Sequence, residues 1–407
     1  MNSKKVIAYL APEVPALSAT FVYQEILELK KLNIDIRSIS IHCPKNKALS
    51  EELKKLESET FYLYEQSFLN TLFFNILLFI SKPFRYLSVF KVALTDSLKT
   101  GITTHIGRGL LYRFVIAASF VKYLKDNNIE HIHANFAHIP TDIAMYAAEL
   151  HGIPFSFISH ANDLFERGWL LKEKVARSKF AVTISDYNRN FLIKKGAEKE
   201  KINVIHCGVN AASFSNRGHK ELSSPPLLGS LGRMVEKKGF DVLIRACAQL
   251  KRKGIIFKLQ LAGDGPLKDE LEALVLENNL TDEISFMNSI SHEAVPSWIK
   301  SLDVFVLPCQ KDKNSDMDGI PVVLMESMLS GVPVLTTRIS GIPELIEDGI
   351  SGLLCDPLDA ESLANNIESL LSDSKMRSTF CENAISKVQT EFELGKNVKL
   401  LKNILTE

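Results

Sequence analysis

The sequence has no excess of charge, because 48 Lys and Arg balance 48 Asp and Glu among its 407 residues. A nucleic-acid-binding protein usually carries a basic excess, so this balance argues against nucleic acid as a partner, although it leaves room for a local basic patch. The six cysteines are widely scattered and form no Cys-x-x-Cys pair, which favours free buried thiols in a reducing compartment. Hydrophobic residues make up 46% of the chain, and this content argues against a disordered protein.

Long hydrophobic runs are also scarce. Residues 1–15 contain only a short apolar run, and we expect a first strand there rather than a secretion signal. Residues 66–81 are uncharged, but they fall short of the ~20 apolar residues needed to span a bilayer, and Asn70, Thr71 and Asn75 interrupt them. Basic and aromatic residues interleave in the segment that follows. Two interpretations stay open: a helical hairpin buried in the protein, or a helix on a membrane surface.

Short β-rich runs alternate with helical stretches along the chain, and this alternation predicts an α/β fold. The predicted strands are almost continuously apolar, which is typical of parallel strands covered by helices on both faces. A polar segment at 215–226 ends in two prolines and predicts a linker between two doubly wound domains. We expect a first domain at 1–220 with a helical apolar and basic insertion at about 61–125, and a second domain at 221–388. Residues 389–407 are expected to form a helix that packs back on the first domain.

Ligands bind beyond the carboxyl ends of parallel strands, so the loops after the strands of the second domain are candidate sites. In the first loop, Gly232 ends a strand, and Arg233 and Lys238 precede a helix. Two fixed cations beside a helix start suit a diphosphate, although solvated loop charges are the simpler alternative. The second loop contains Asp264 and Gly265 in GDGP. It lacks the third glycine of a dinucleotide motif, so a tight turn into a helix is the simpler interpretation there.

The third loop combines carboxylates with a glycine and a helix start. Asp318 lies on the loop, and Glu326 lies two helical turns further along. Between them lies a backbone segment with a glycine that allows close approach and a helix start with free N–H groups: Gly319, Ile320, Pro321 and Val322. Carboxylates are unfavourable in a phosphate pocket unless hydroxyl groups sit against them, so the mixture points to a sugar nucleotide. The alternatives are a helix N-cap for Asp318 and a surface charge for Glu326.

Three motifs in this order resemble the retaining glycosyltransferases of the two-Rossmann-domain type (GT-B), specifically family 4. The family pattern GRxxxxKG, GxGP and E-x7-E, with GxP between the acids, matches this chain over about residues 226–372. Asp318 departs from the pattern, because the family usually has Glu there. The shorter side chain reaches one methylene less far, which is expected to affect which sugar is accepted. The resemblance implies two Rossmann-like domains with a ligand-binding cleft between them.

The first half resembles a subgroup of this family that builds bacterial exopolysaccharides such as colanic acid. Three segments carry the resemblance: Pro12 with Ser18-Ala19-Thr20-Phe21, His133-Ala134-Asn135-Phe136-Ala137, and Ser159-His160-Ala161-Asn162-Asp163-Leu164-Phe165. Ala19 stands where the subgroup has Glu, and Asn135 where it has His, so no role is carried over to those two positions.

His160 and Asp163 keep the residues of the subgroup, and we expect both in the substrate site. His160 follows the predicted strand PFSFIS, which places it at the carboxyl end of the sheet, where it would contact the donor sugar or the acceptor hydroxyl. A structural histidine bonded to a backbone carbonyl is the alternative. His133 is also a candidate for substrate binding, although for this residue the structural alternative is the stronger one.

The resemblance implies a retaining glycosyltransferase that moves a sugar from a nucleoside diphosphate to a hydroxyl of a growing, lipid-linked bacterial surface glycan. Arg233 and Lys238 would neutralise the leaving diphosphate, Asp318 would orient the donor sugar, and Glu326 would bind the ribose. The backbone amides in the segment 319–322 that carry an N–H would bind phosphate or sugar. Gly232, Asp264 and Gly265 would complete the donor site. The acceptor would attack from the leaving-group face with phosphate as its base.

The resemblance further implies that no metal and no cofactor is used. It places the enzyme in the cytoplasm, with a contact to the inner face of the membrane left open. The glycan could be an exopolysaccharide, a lipopolysaccharide or a capsule. Two other functions fit the same motifs less well: a sugar-nucleotide epimerase or hydrolase of the same fold, and a non-catalytic nucleotide-sugar-binding scaffold in a polysaccharide assembly complex.

Overall fold

The computed structural model describes residues 5–407 apart from 17–18, 45–49, 215–217, 219 and 292. Ser18 of the first-half motif and part of the predicted linker at 215–226 therefore lie outside the described residues. The chain forms two compact units. Unit 1 comprises Met1–Ile205 and Val398–Glu407, and unit 2 comprises His206–Asn397.

Unit 1 is built on a parallel sheet with the strand order β3-β2-β1-β4-β5-β6-β7. Its strands are β1 (Val6–Glu13), β2 (Asp35–His42), β3 (Phe61–Tyr62), β4 (His131–Asn135), β5 (Phe155–Ser159), β6 (Ala181–Thr183) and β7 (Ile202–Val204). Its helices are α1 (Thr20–Lys31), α2 (Glu51–Glu59), α3 (Phe68–Ser81), α4 (Pro83–Lys99), α5 (His105–Asp126), α6 (Ile139–His151), α7 (Asn162–Phe165), α8 (Leu171–Arg177) and α9 (Asp186–Lys194). Every residue of β4 and β5 is buried, as expected of central strands covered on both faces.

Unit 2 is built on a second parallel sheet, with the order β10-β9-β8-β11-β12-β13. Its strands are β8 (Leu227–Leu231), β9 (Lys258–Ala262), β10 (Ile284–Met287), β11 (Val304–Leu307), β12 (Val334–Thr337) and β13 (Leu353–Cys355). Its helices are α10 (Phe240–Arg252), α11 (Lys268–Glu277), α12 (Val295–Ser301), α13 (Val322–Leu329), α14 (Ile342–Leu345), α15 (Ala360–Ser372) and α16 (Ser374–Glu391). Two parallel α/β units confirm the predicted fold class.

The division between the units falls at Ile205, upstream of the polar segment 215–226. Hydrogen bonds explain this position, because the Val209 amide donates to the Phe392 carbonyl at 3.0 Å and so ties the chain to unit 2. The last helix, α17 (Leu394–Thr406), begins in unit 2 and ends in unit 1. Within unit 1, Lys5 Nζ donates to the Leu405 carbonyl at 2.7 Å.

The helices α3, α4 and α5 occupy the segment predicted as an insertion. The apolar side chains of α3 are mostly exposed, and its buried residues are the polar Thr71 and Asn75. Of the two interpretations left open for this segment, a hairpin buried in the protein is therefore wrong for α3, whereas α4 buries Val89 and Ala93 in the core of unit 1. No single helix in the described part of the chain is long and apolar enough to cross a membrane. Only α3 and α4 together, bent by 119°, reach that length and composition.

All six cysteines are free thiols. Cys247, Cys309 and Cys355 are buried as expected, whereas Cys43 is exposed. Cys43 lies just after the end of β2, outside the covered part of the sheet. The expectation of buried thiols is therefore correct for three residues and wrong for Cys43, while Cys207 and Cys381 are half-buried.

Candidate active site

The sheet of unit 2 reverses its strand order between β8 and β11, which are neighbours and parallel. Their following loops leave from the same edge of the sheet and part in opposite directions, and ligands bind at such a switch point in open α/β sheets. The loop after β8 carries Gly232 and Arg233, and the loop after β11 carries Asp318. The tertiary structure thus brings candidate residues far apart in sequence to one edge.

Glycines allow the loops after β8 and β9 to pack backbone against backbone. Gly263 has a φ of +129°, and a Cβ there would lie 2.0 Å from the Gly232 carbonyl oxygen. A Cβ on Gly265 would lie 2.5 Å from the Met234 carbonyl oxygen. The Met234 amide donates to the Asp264 carbonyl at 2.9 Å. The GDGP segment therefore packs closely against the loop that carries Arg233. This packing explains why Gly263 and Gly265 are glycines, so a dinucleotide-binding motif is not needed to explain them.

Lys238 and Asp318 form a largely buried ion pair at this edge. The Lys238 Nζ lies 2.6 Å from Asp318 Oδ2, and the two side chains are 15% and 14% exposed. Lys238 ends a 3₁₀ turn, and Gly239 follows it with a φ of +67°. A Cβ on Gly239 would lie 1.9 Å from the Pro308 carbonyl oxygen. Only glycine thus lets the lysine turn approach the end of β11 so closely.

Two residues that the sequence did not single out complete this cluster. Lys237 Nζ lies 2.7 Å from Asp316 Oδ2 and 3.4 Å from Asp318 Oδ1. The only signals in the sequence are a Lys-Lys doublet and an Asp-x-Asp pair, and neither shows that the two meet. We define the ion cluster as Lys237, Lys238, Asp316 and Asp318.

The ion cluster keeps its central pair charged despite burial. Burial alone would raise the pKa of Asp318, but Lys238 and Lys237 outweigh it and hold that pKa below its usual value. Burial would lower the pKa of Lys238, but Asp318 outweighs it and raises that pKa. Both side chains are therefore charged at neutral pH.

The other predicted residues of unit 2 lie on the loop after β8 or on α13. Arg233 is exposed and forms no ion pair with any described residue, so its charge is accessible to a ligand. Glu326 is half-buried on α13. Pro321 is the N-cap residue of α13, and no side chain caps this helix. The alternative of Asp318 as an N-cap is therefore wrong.

The backbone between Asp318 and α13 completes the donor-site candidates. Gly319, Ile320 and Pro321 are buried, and Val322 is half-buried as the first residue of α13. Asp264 is exposed, and its Oδ1 accepts a hydrogen bond of 2.8 Å from the Gly265 amide. The side chain of Lys238 passes close to Gly232, where a Cβ would lie 3.2 Å from Lys238 Cε.

In unit 1, His160 belongs to a buried chain of hydrogen bonds that starts just beyond β5. Its Nε2 lies 3.0 Å from Asn135 Oδ1, Asn135 Nδ2 donates to the Tyr9 hydroxyl at 2.6 Å, and Tyr9 donates to Glu25 Oε1 at 2.6 Å. Because the Asn135 amide nitrogen donates to Tyr9, its oxygen faces His160 and accepts, which assigns the His160 proton to Nε2. Burial lowers the pKa of His160 to about 3, so the ring is neutral.

Asp163 joins two loops of unit 1. Its Oδ2 accepts a bond of 2.7 Å from the Ala137 amide, and its Oδ1 accepts a bond of 3.0 Å from the His160 amide. Burial raises the pKa of Asp163 to about 6, although these amides oppose the rise. The carboxylate faces backbone amides, and this arrangement positions the loop that carries His160.

His133 lies inside the sheet of unit 1. Its Nδ1 is 2.8 Å from Ser156 Oγ, and its ring centroid is 5.4 Å from that of Tyr9. Its Nε2 has no hydrogen-bond partner among the described residues. Burial lowers the pKa of His133 to about 3. The surroundings fit the structural alternative better than direct contact with a substrate.

Within the described part of the chain, no group of three or more His, Cys, Asp or Glu side chains is arranged to hold a metal ion.

Two parallel α/β units with candidate residues at their carboxyl edges are the architecture of the GT-B glycosyltransferases, and family comparisons agree with this class. The glycosyl transferases group 1 family matches residues 214–387, and Glycosyltransferase Family 4 matches residues 98–213. Together the two matches cover well over half of the chain. The chain belongs to glycosyltransferase family 4, which confirms the resemblance seen in the motifs.

Relatives within this family include proteins named for exopolysaccharide synthesis. The colanic acid biosynthesis glycosyltransferase WcaL of Escherichia coli is 35% identical over 254 residues, which is 60% of each chain. The matched region thus spans less than two thirds of WcaL. The amylovoran biosynthesis glycosyltransferase AmsK of Erwinia amylovora is 28% identical over 415 residues, which is 98% of each chain.

A solved structure supports the fold over nearly the whole chain. HepE from Anabaena, crystallised with UDP, superposes with a TM-score of 0.74 at 17% identity and covers 98% of this chain and 99% of its own.

Proposed function

We propose that this protein is a retaining glycosyltransferase that moves a sugar from a nucleoside diphosphate to a hydroxyl of a growing bacterial surface glycan. The observation that carries the proposal is the buried Lys238–Asp318 pair at the switch point of unit 2, beside the exposed Arg233. Cations and a carboxylate at one edge suit a ligand that is part phosphate and part sugar. The names of WcaL and AmsK support the glycan class, and the UDP and UDP-glucose complexes of HepE support the donor class.

In the proposed donor complex, Arg233 and Lys238 contact the diphosphate. Removing positive charge from such a site costs catalysis directly, because the leaving diphosphate gains negative charge in the transition state. Asp318 then accepts hydrogen bonds from the donor sugar. Lys237 Nζ lies 3.4 Å from Asp318 Oδ1. Asp318 therefore keeps a paired cation when Lys238 binds the phosphate instead.

The remaining donor contacts follow from the order of the third loop. The backbone of residues 319–322 leads into α13, and we propose that the N–H groups of Gly319, Ile320 and Val322 face the phosphate or the sugar, since Pro321 has none. Glu326 accepts from the ribose hydroxyls. Gly232, Asp264 and Gly265 line the same edge through the backbone contacts of their two loops.

For the transfer itself, we propose attack by the acceptor hydroxyl on the face of the leaving group, with a phosphate oxygen as the base. His160 is neutral and packs against Phe21 and Phe136, at centroid distances of 4.6 and 4.7 Å. Such an environment suits contact with an uncharged hydroxyl rather than with phosphate. Asp163 positions His160, and His133 supports the strand beneath it.

We propose that the reaction requires no metal, because Arg233 and Lys238 supply the positive charge that a leaving diphosphate requires. We also propose a cytoplasmic enzyme with a lipid-linked acceptor, working at the inner face of the membrane. This setting suits an exopolysaccharide, lipopolysaccharide or capsule pathway.

The test begins with a thermal-shift and ligand-observed NMR screen across nucleotide sugars, which identifies the donor without knowledge of the acceptor. The donor that binds is then incubated with lipid-extracted acceptors, with and without EDTA, and the product anomer is assigned by NMR. We expect turnover only with acceptor, retained anomeric configuration and no effect of EDTA. Rapid donor turnover without acceptor would indicate an epimerase or hydrolase. Binding without turnover on any acceptor would indicate a scaffold.

A further inference from the structure

Helix α3 of unit 1 exposes its apolar face and buries polar residues, which is the reverse of a surface helix in a water-soluble protein. Its apolar side chains point to the outside of the protein: Phe68, Leu69, Leu72, Phe73, Ile76, Leu77, Phe79 and Ile80 are all exposed, Phe68 at 78%. Its buried residues are the polar Thr71 and Asn75. A helix at a water-exposed surface normally buries its apolar residues and exposes its polar ones. The outer face of α3 therefore fits an apolar surrounding.

Specific hydrogen bonds hold α3 in this orientation. Asn75 Nδ2 donates to the Thr71 carbonyl at 2.8 Å and to the Val115 carbonyl of α5 at 2.9 Å. The Tyr86 hydroxyl of α4 donates to Asn75 Oδ1 at 3.0 Å. A buried amide that is bonded to two neighbouring helices gives α3 one preferred rotation. The exposed apolar face is thus part of the folded arrangement.

The apolar face continues onto the start of α4. Phe84 is 89% exposed, and Leu87 and Phe90 on the same helix are also exposed. The two helices meet at a bend of 119°, which is too sharp for one straight spanning helix and suits two helices lying in a plane. We name α3 and residues 83–91 of α4 the apolar hairpin.

The charged residues of the apolar hairpin and its bend have one sign. Exposed Lys82, Arg85 and Lys91 lie on it or at its bend. The only acidic residue between positions 66 and 112 is Asp96, which is buried and paired with Arg177 at 2.6 Å. A symmetric contact with a second copy would set this basic patch against itself. An anionic surface with an apolar interior matches both properties of the hairpin, and that combination describes a bilayer containing acidic lipids.

We propose that the apolar hairpin is an in-plane membrane anchor. Its aromatic and aliphatic side chains enter the boundary between the headgroups and acyl chains of a bilayer, and Lys82, Arg85 and Lys91 contact anionic headgroups. The anchor lies on one leaflet and does not cross the membrane. Binding is measured without donor or acceptor, so its outcome is independent of the proposed sugar transfer.

The test is co-sedimentation of the full chain with vesicles of phosphatidylcholine alone or with about one third phosphatidylglycerol. We expect the protein to pellet with the anionic vesicles. Phe73→Asp/Ile76→Asp should weaken this binding about tenfold or more, because it places two charges in the acyl boundary. Lys82→Gln/Arg85→Gln/Lys91→Gln should lose the preference for anionic vesicles, also by about tenfold or more.

A matched control places the same charges on exposed apolar residues elsewhere. Ile256→Asp/Leu276→Asp in unit 2 should bind vesicles as the parent does, because both side chains are exposed outside the hairpin. Circular dichroism checks that each variant is folded, and Phe68→Asp/Leu69→Asp at the other end of α3 gives a second apolar test. A parent protein that does not pellet with vesicles would overturn the proposal, as would apolar variants that bind like the parent. So would a lipid-free dimer in sedimentation velocity that Phe73→Asp/Ile76→Asp disperses, since a second copy would then cover the hairpin.

Discussion

The two units end their parallel sheets in the same way, but their candidate residues at those ends differ in charge. In unit 2, Lys238 and Asp318 are buried and charged, because each offsets the burial of the other. In unit 1, burial keeps His133 and His160 neutral, and each ring bonds a neutral side chain. The buried ion pair of unit 1, Lys174 with Asp142, involves neither histidine. One architecture therefore supplies a charged pair, which suits a diphosphate, and a neutral histidine, which suits a hydroxyl group. The difference lies in the side chains on a few loops.

The largest expected effect tests the charged edge. Lys238→Ala should lower kcat about 100-fold or more, a typical cost for removing one electrostatic contact to a leaving group. Steady-state kinetics with the identified donor measures the loss, and circular dichroism corrects for the unfolded fraction. Lys253→Ala is the matched control, since Lys253 pairs with Glu368 at 2.6 Å on the exposed surface of the same unit. Activity of Lys238→Ala within a few-fold of the control would refute the diphosphate role.

A smaller effect on kcat is expected for the neutral His160 of unit 1. His160→Ala should lower kcat about tenfold, the cost of roughly one hydrogen bond to a hydroxyl group. The Kd of the free nucleotide should not change, because a neutral ring is not expected to bind the diphosphate. His105→Ala, an exposed histidine at the start of α5, is the control. If nucleotide affinity falls with kcat, the assignment of the diphosphate to unit 2 and of a hydroxyl group to His160 is wrong.

Glu326→Gln tests whether the charged edge also binds the nucleoside. We expect the nucleotide Kd to rise about tenfold, because a charged acceptor for the ribose hydroxyls becomes a weaker neutral one. Isothermal titration calorimetry measures the change. Glu361→Gln on α15 of the same unit is a suitable control. An unchanged Kd would remove Glu326 from the donor site.

The two units should also respond differently to acid. Burial lowers the pKa of His133 from 6.5 to about 3, so the unfolded chain binds a proton below pH 6.5 that the folded unit excludes. Unit 1 therefore loses stability as the pH falls from 6.5 toward 3. Glu25 and Asp163 act in the opposite sense, because burial raises their pKa values to about 7 and about 6. The histidines that burial keeps neutral outnumber these two acids, since His131, His138 and His160 behave as His133 does.

In unit 2, the pKa of Asp318 is lowered in the fold, so its contribution is present at neutral pH and is lost only as the pH falls through that lowered pKa. The two tryptophans of the sequence separate the units, because Trp169 lies in unit 1 and Trp298 in unit 2. Fluorescence of Trp298→Phe and Trp169→Phe variants follows each unit alone during acid titration. We expect the Trp169 transition at the higher pH. Coincident or reversed transitions would contradict the contrast.

Much of the fold was predictable, because it depends on local patterns. Apolar runs of strand length alternate with helical periods, and the glycines of GDGP and before α10 mark tight approaches of backbone. Lys238 and Asp318 were predictable as candidate residues from their motifs, and the structure pairs them. Lys237 and Asp316 were not, because their contact depends on two loops that are separated along the chain by β9, β10 and β11 and meet only through the strand order of the sheet.

The sequence by itself determined the class of fold, the family and the residue types available at the carboxyl edges of the strands. Local periodicity and motif spacing suffice for these. The tertiary structure decided which of those residues meet, which are charged and which way α3 faces. Burial and pairing set ionisation, and both depend on neighbours distant in the chain. The balanced charge of the whole sequence therefore conceals an ion cluster at one sheet edge, neutral histidines at another, and a basic, apolar hairpin on the surface.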